Sequence, residues 1–219
     1  MPRRFNTAGP CLVEDHYMLS PEARSPQVRK LIDGKHYFIV HAPRQVGKTT
    51  LMRNLSRALT AEGKYAALTI SLESFMEGGP ETVMSQILGK LSWESEYFLP
   101  PELQPPPVAK FTEDPLNALN KYLSAWSAAI DRPLVLFLDE ADSVTAPVLL
   151  SVLRQLRDGY TARPRPFPQS VALIGDTPAG DTTYDEDFAY LEALGLVTAE
   201  GAARGASPTP SIARSSLGF

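Results

Sequence analysis

Cysteine is almost absent from this sequence. Cys11 is the only cysteine in 219 residues, so no disulfide bond can form within the chain. A cysteine-rich zinc site is excluded for the same reason. This cysteine usage is typical of proteins that work in a reducing compartment, and we expect a cytoplasmic protein.

Long apolar runs and a large excess of positive charge are also missing. No apolar segment approaches the roughly 20 residues that a membrane-spanning helix needs, so no membrane association is expected. Arg3 and Arg4 are not followed by an apolar segment, which argues against a signal peptide. The net charge is −4, so we expect no tight DNA-binding site at Arg44, Arg163 or Arg165.

Apolar residues are plentiful, at 43% of the chain, and they predict a packed core. Four apolar segments are typical of buried strands: 36–41, 65–71, 134–138 and 170–175. Amphipathic helices are predicted after Ser25, from Lys48 to Glu62, after Pro80, and over two later segments. Their apolar faces comprise Val28, Leu31, Ile32, Leu51, Leu55, Leu59, Val83, Ile87, Leu88, Leu91, Leu116, Leu119, Leu123, Trp126, Ile130, Val148, Leu149, Val152, Leu153 and Leu156.

A phosphate-binding loop is indicated by the segment 37–50, YFIVHAPRQVGKTT. A short apolar run enters a loop that ends in Gly-Lys-Thr, and an amphipathic pattern follows at once. Backbone N–H groups of such a loop surround phosphate oxygens, and the N-terminus of the next helix adds positive potential. The predicted nucleotide-binding residues are Ala42, Pro43, Arg44, Gln45, Val46, Gly47, Lys48, Thr49 and Thr50.

Three residues of this loop have separate chemical tasks. Gly47 lets the backbone approach the phosphates, Lys48 can reach the β- and γ-phosphates, and Thr49 offers a hydroxyl to Mg²⁺. The pattern G-x-x-x-x-G-K-[ST] requires glycine where this chain has Ala42. The alternative interpretation is therefore a surface turn with an exposed lysine.

A second motif follows the apolar run Leu134–Leu138. Five apolar residues in a row are typical of a strand that is buried on both faces of a parallel sheet. Asp139 and Glu140 follow it, at the edge where open α/β sheets bind ligands. Asp139 can hold Mg²⁺, and Glu140 can orient or deprotonate a water molecule. Alternatively, the two acidic residues open a turn and Asp142 caps the next helix.

The order of elements predicts a three-layer α/β/α fold with a mostly parallel sheet. In this architecture the strand 170–175 lies between the first strand and the Asp139 strand, so Asp176 and Thr177 could touch the γ-phosphate. Gly159 is expected to end the helix before that strand. The proline-rich segment 99–107 is predicted to be a stiff surface loop, and 162–169 a solvated loop.

The runs His41–Thr50, Leu138–Asp142 and Phe5–Pro10 resemble those of the AAA-like ATP-binding proteins of bacteria, near the STAND and archaeal-type P-loop ATPases. The resemblance covers about residues 1–176. It implies ATP and Mg²⁺ as cofactors, with Lys48 on phosphate, Thr49 and Asp139 on the metal, and Glu140 as catalytic base. An alanine in the place of Ala42 is ordinary in this family.

The resemblance also implies a division of the chain. Residues 1–35 would form an N-terminal arm and a short helix, and 36–178 the ATPase core. Members of the family continue through a fifth strand, a helical lid and a winged-helix-like region. Here 179–204 resemble a remnant of that last region, so we expect truncation after the fourth core strand and no lid. The composition of 205–219 predicts disorder.

These patterns predict a Mg²⁺-dependent ATP-binding protein whose hydrolysis is weak or depends on a partner, because the lid usually supplies a sensing arginine. Lys48 and Glu140 are the predicted catalytic residues, in a Walker A and a Walker B motif respectively. An unidentified protein partner is expected, and oligomers are compatible with the family. The alternatives are a nucleotide-dependent switch that does not hydrolyse ATP, and an inactive remnant of an AAA-like ATPase.

Overall fold

The computed structural model describes residues 26–42, 47–75, 78–176 and 214–216. The helices are α1 (Pro26–Asp33), α2 (Lys48–Ala61), α3 (Pro80–Phe98), α4 (Ala118–Ala129) and α5 (Ala146–Thr161). The strands are β1 (Tyr37–Ala42), β2 (Ala66–Ser71), β3 (Leu134–Asp139), β4 (Ser170–Asp176) and β5 (Arg214–Ser216). Short 3₁₀ helices span Glu73–Phe75, Pro101–Leu103, Val108–Phe111 and Ala141–Ser143.

The described strands form one parallel sheet in the order β2-β3-β4-β1-β5. β4 lies between β1 and β3, which confirms the position predicted for the fourth strand. The pairing of β4 with β1 continues to Ala42 and Asp176, whereas its pairing with β3 stops at Leu138 and Leu173. The carboxyl ends of β1, β3 and β4 therefore meet at one edge of the sheet.

Helices cover both faces of the central strands. All six residues of β3 are buried, as expected for a strand between two layers of helices. On the α2 side, the Thr69 hydroxyl donates to the Met52 carbonyl at 3.3 Å and lies 3.2 Å from the Ser56 hydroxyl. In the layer that contains α3, α4 and α5, Trp126 is fully buried. The α/β class predicted from the sequence is confirmed.

Polar side chains connect helix α1 to the end of α2 and the start of β2. Arg29 donates to the Glu62 carboxylate, and the Asp33 carboxylate accepts from Lys64 at 2.7 Å and from the Tyr65 hydroxyl at 2.6 Å. These contacts hold the N-terminal helix against the core that it precedes.

Two helix boundaries differ from the sequence prediction. Gly159 does not end α5 but lies inside it. A Cβ at this position would be 2.1 Å from Cζ of the buried Phe167. The glycine therefore makes room for an aromatic ring. Leu116 precedes α4, which begins at Ala118, and its side chain is exposed rather than part of the apolar face.

The two segments predicted to be surface loops make buried contacts and hydrogen bonds with the rest of the fold. In the proline-rich segment, Leu103 is buried and its carbonyl accepts from Trp126 Nε1 at 2.9 Å. In the segment 162–169, the Arg163 guanidinium donates to the carbonyls of Lys35 and Gln169. It also lies 4.1 Å from the Tyr160 ring centroid, so this arginine has a structural role.

The tail contributes a short edge strand. Arg214–Ser216 pair with Ile39, Val40 and His41 of β1, which differs from the disorder expected for 205–219 at these three positions. Unpaired backbone groups at the open edge of β1 offer such a segment its hydrogen bonds. The predicted arm 1–25, the remnant 179–204 and the rest of the tail lie outside the described residues. No helix in the described part of the chain is long and apolar enough to cross a membrane.

Candidate functional site

The turn into α2 is shaped by Gly47. Its backbone is left-handed, with φ 84° and ψ 27°, a conformation that favours glycine. Its carbonyl accepts the first hydrogen bond of the helix, from the Leu51 N–H at 2.9 Å. Lys48 and Thr49 therefore stand on the first turn of α2, at the carboxyl edge of the sheet.

Lys48 is 6% exposed, which is unusual because lysine is almost never fully buried without a partner. Burial raises the pKa of the Asp139 carboxyl, and the positive charge of Lys48 opposes that rise. The predicted phosphate-binding lysine therefore lies within electrostatic reach of the acidic residue from β3. Thr50, one residue beyond Thr49, is partly buried on the same turn.

Asp139 ends β3 and is 1% exposed. Its Oδ1 accepts from the Glu140 N–H at 3.1 Å, whereas its Oδ2 is buried without a hydrogen-bond partner among the described residues. Burial raises the pKa of Asp139, and the hydroxyl of Thr49, the Glu140 N–H and the charges of Lys48 and Arg53 oppose that rise.

This arrangement suits a hard cation. Mg²⁺ is held in proteins by one or two oxygen ligands together with water and phosphate oxygens. A buried carboxylate oxygen that lacks a donor, beside a threonine hydroxyl on a helix N-terminus, is such a ligand set. Thr49 and Asp139 are the residues that could hold the ion.

Glu140 has an uncommon backbone conformation. Its φ of 54° and ψ of 41° are left-handed, and among the described residues only Lys35 is a second non-glycine residue with positive φ. This conformation costs about 1–2 kcal/mol for an L-residue. The Glu140 carbonyl accepts from the Ser143 hydroxyl at 2.6 Å and from the Ser143 N–H at 3.0 Å, which closes a tight turn. Strain of this kind is often found at functional sites.

Asp142 does not cap the following helix. Thr145 stands at the N-cap of α5, and no side chain makes a capping hydrogen bond there. Asp142 instead lies beside Gly175, near the end of β4. This contact was not predicted, because nothing in the sequence pattern relates the two positions.

The structure describes only some of the other predicted site residues. Ala42 ends β1 and its backbone pairs with Asp176, so the strand ends one residue beyond His41, where it was predicted to end. Pro43, Arg44, Gln45, Val46 and Thr177 lie outside the described residues, as do the side chains of Ala42 and Asp176. Sequence reasoning missed Arg53, which stands one helical turn after Thr49 and acts on the Asp139 carboxyl.

Solved structures of similar shape include the Walker-type ATPase PABY2304 of Pyrococcus abyssi. Its TM-score is 0.52 at 15% identity, with 78% of this chain and 48% of that chain covered. The Aeropyrum pernix ORC2 protein in its ADP form matches with a TM-score of 0.46 at 16% identity, over 90% and 47% of the two chains. This chain thus spans about half the length of these proteins. The first match supports the fold alone.

A comparison with curated protein sequences gave no significant match. A family profile described as the AAA ATPase domain matches residues 26–174, from the start of α1 to the last residues of β4. The matched region includes both motifs, the strands β1 to β3 and the first five residues of β4. The chain therefore belongs to the AAA ATPase domain family.

Proposed function

We propose that this protein binds ATP together with Mg²⁺ in the cytoplasm, and that it hydrolyses the nucleotide slowly without a partner. The observation that carries the proposal is the buried Asp139 carboxylate, which has one oxygen without a hydrogen-bond donor and the Thr49 hydroxyl beside it. Such a group costs free energy in the ligand-free protein, and a cation removes that cost. The family membership supports a nucleotide-binding, ATPase-like fold.

The binding roles follow from position. The loop 42–47 and the first turn of α2 would surround the phosphates, with Lys48 contacting the β- and γ-phosphates. Thr49 and Asp139 would hold Mg²⁺, which would supply positive charge to the phosphates. Thr50 would contribute its backbone N–H near the phosphates.

Glu140 is the proposed base. A water molecule that attacks the γ-phosphate has to lose a proton, and a carboxylate one residue beyond the metal ligand can accept it. The left-handed backbone of Glu140 turns its side chain away from the direction that a continuing strand would give it. The turn closed by Ser143 keeps that conformation in the absence of nucleotide.

Slow turnover is proposed because charge that develops on the γ-phosphate is usually met by an arginine. Such a residue, in cis or from a neighbour, contributes about 10³–10⁵ in rate. We propose that a protein partner or a second copy of the chain contributes this charge.

The test combines a fluorescent-ATP titration with a phosphate-release assay on the purified chain. Lys48→Ala should remove most nucleotide affinity, and Glu140→Gln should keep the affinity and lower the turnover. Lys110→Ala, at an exposed position outside the site, is the control and should behave as wild type. Binding without turnover would indicate a nucleotide switch. Failure to bind ATP in the presence of Mg²⁺ would refute the proposal and favour an inactive remnant.

A further inference from the structure

β4 stays paired with β1 beyond the point where its pairing with β3 ends. The last pair between β3 and β4 is Leu138 with Leu173, but β4 remains paired with β1 to Asp176, and β3 remains paired with β2 to Asp139. The 3₁₀ turn Ala141–Ser143, which follows β3, packs against β4. The turn that follows Asp139 and Glu140 is thus seated on the strand beside the phosphate loop.

Asp142 lies close to Gly175 where the turn packs against β4. A Cβ on Gly175 would lie 3.1 Å from Asp142 Oδ1 and 3.4 Å from Asp142 Cγ. The first distance is tighter than ordinary van der Waals contact, so a side chain at position 175 would require the carboxylate to shift by a few tenths of an ångström. The missing Cβ is what lets Asp142 lie against the backbone of β4.

Hydrogen bonds also hold the two residues that precede this turn, Asp139 and Glu140. On the β2 side, the Leu72 N–H donates to the Asp139 carbonyl at 2.8 Å. Within the turn, Ser143 donates through its hydroxyl and its N–H to the Glu140 carbonyl. Together with the contact at Gly175, they hold Glu140 in a conformation that it would not adopt unaided.

We propose that Asp142 is a positioning residue. Its carboxylate, which lies against Gly175, fixes the turn and the two residues before it, Asp139 and Glu140, relative to the end of β4. Because Asp176 of β4 is paired with Ala42, this contact links the phosphate loop to the metal ligand and the base. The effect on ATP rests on the proposed function, whereas the effect on the turn itself does not.

The first test needs no nucleotide. Amide hydrogen exchange is measured in the ligand-free wild type, in Asp142→Ala and in Gly175→Ala. The amides of Leu72 and Ser143, whose acceptors are the carbonyls of Asp139 and Glu140, should exchange at least about tenfold faster in both variants. The amide of Ala66, bonded to the Pro133 carbonyl at the other end of β2 and β3, is the internal control and should not change.

Two further variants separate the contact from a general effect of added volume. Gly89→Ala also adds a methyl group, but nothing lies within 4 Å of its Cβ, so it should leave the exchange of Leu72 and Ser143 unchanged. Gly175→Ala combined with Asp142→Ala should be no worse than Asp142→Ala alone, because the group that the methyl contacts is gone. Additive effects of the two substitutions would contradict a direct contact.

The second test uses Mg²⁺ and a fluorescent ATP analogue. In Asp142→Ala, half-maximal binding should require at least about fivefold more Mg²⁺ than in the wild type, because Asp139 is displaced. Affinity measured without Mg²⁺ should stay within about twofold. Asp142→Asn, which keeps the shape of the side chain, should restore most of the Mg²⁺ dependence.

The outcomes of the two tests are distinguishable. Wild-type exchange rates at Leu72 and Ser143 in both variants would overturn the positioning role. An unchanged Mg²⁺ requirement in Asp142→Ala would overturn it as well. If the wild type bound no ATP, the proposed function would fail, and the exchange rates alone would decide whether Asp142 holds the turn.

Discussion

Thr49 and Asp139 face each other at the carboxyl edge of the sheet, although one stands on the first turn of α2 and the other at the end of β3. The hydroxyl lowers the pKa of the carboxyl, and burial raises it by more. In the ligand-free protein, burial therefore disfavours the charged form of the Asp139 carboxyl. A bound cation would relieve this cost.

Asp139→Asn should make the ligand-free protein more stable, by on the order of 1 kcal/mol in unfolding free energy. Burial raises the pKa of Asp139 above its ordinary value of 3.8, so the native state binds this proton more tightly than the unfolded chain. The contribution of the carboxyl to stability therefore falls as pH rises through 3.8 and above. Urea unfolding at pH 4 and pH 7 should show a larger gain at pH 7, and a loss at both values would contradict the prediction.

Glu140→Gly should also stabilise the ligand-free protein, by about 0.5–1 kcal/mol, because glycine adopts the left-handed backbone at little cost. Glu140→Gln keeps the strained backbone and should leave the stability unchanged. Lys35→Gly is the matched control, since Lys35 has a φ of 61° outside the site. Lys35→Gly should stabilise the protein without changing the rate of ATP hydrolysis, whereas Glu140→Gly should lower that rate.

Asp33 gives the opposite dependence on pH. Hydrogen bonds from Lys64 and Tyr65 lower the pKa of its carboxyl, so its contribution to stability is present above the unfolded value and disappears as pH falls through the native value. Asp33→Asn should therefore reduce stability by a small amount at neutral pH and by nothing at about pH 2. Thermal unfolding over this pH range measures it, and a deficit that persists in acid would show that the carboxylate charge is not the cause.

Gly159→Ala should destabilise the protein by about 1–3 kcal/mol, because the added methyl group would overlap the Phe167 ring in a packed core. Gly89→Ala, on an exposed face of α3 with open space around its Cβ, should instead stabilise by up to about 1 kcal/mol through helix propensity. Equal effects of the two substitutions in urea unfolding would contradict the assigned role of Gly159.

Sequence periodicity predicted the elements that bury a continuous apolar stripe. Leu134–Leu138 and the stripe through Trp126 are examples, because burial of one face or both leaves a clear pattern. Gly159 was predicted to be a stop because a glycine that terminates a helix and one that admits a ring look alike in sequence. Arg163 was expected in solvent because its acceptors, the Lys35 and Gln169 carbonyls, are backbone groups that no motif marks.

The candidate site also contains residues that the sequence marks and a contact that it does not. Lys48, Thr49, Asp139 and Glu140 were predicted because their tasks require particular side chains next to a strand or a helix end. The contact of Asp142 with Gly175 depends on where the pairing of β3 with β4 ends while β4 continues beside β1, which is a property of register and not of spacing. No pattern in the sequence reports that difference.

The most direct test of this account is the affinity for ATP with and without Mg²⁺, measured by calorimetry for the wild type and for Asp139→Asn. We predict that Mg²⁺ tightens binding by at least about tenfold in the wild type and by less than about twofold in the variant, because we propose that the buried Asp139 is a ligand of the metal. An equal gain in both proteins would contradict the role of Asp139, and no binding by the wild type would contradict the function proposed here.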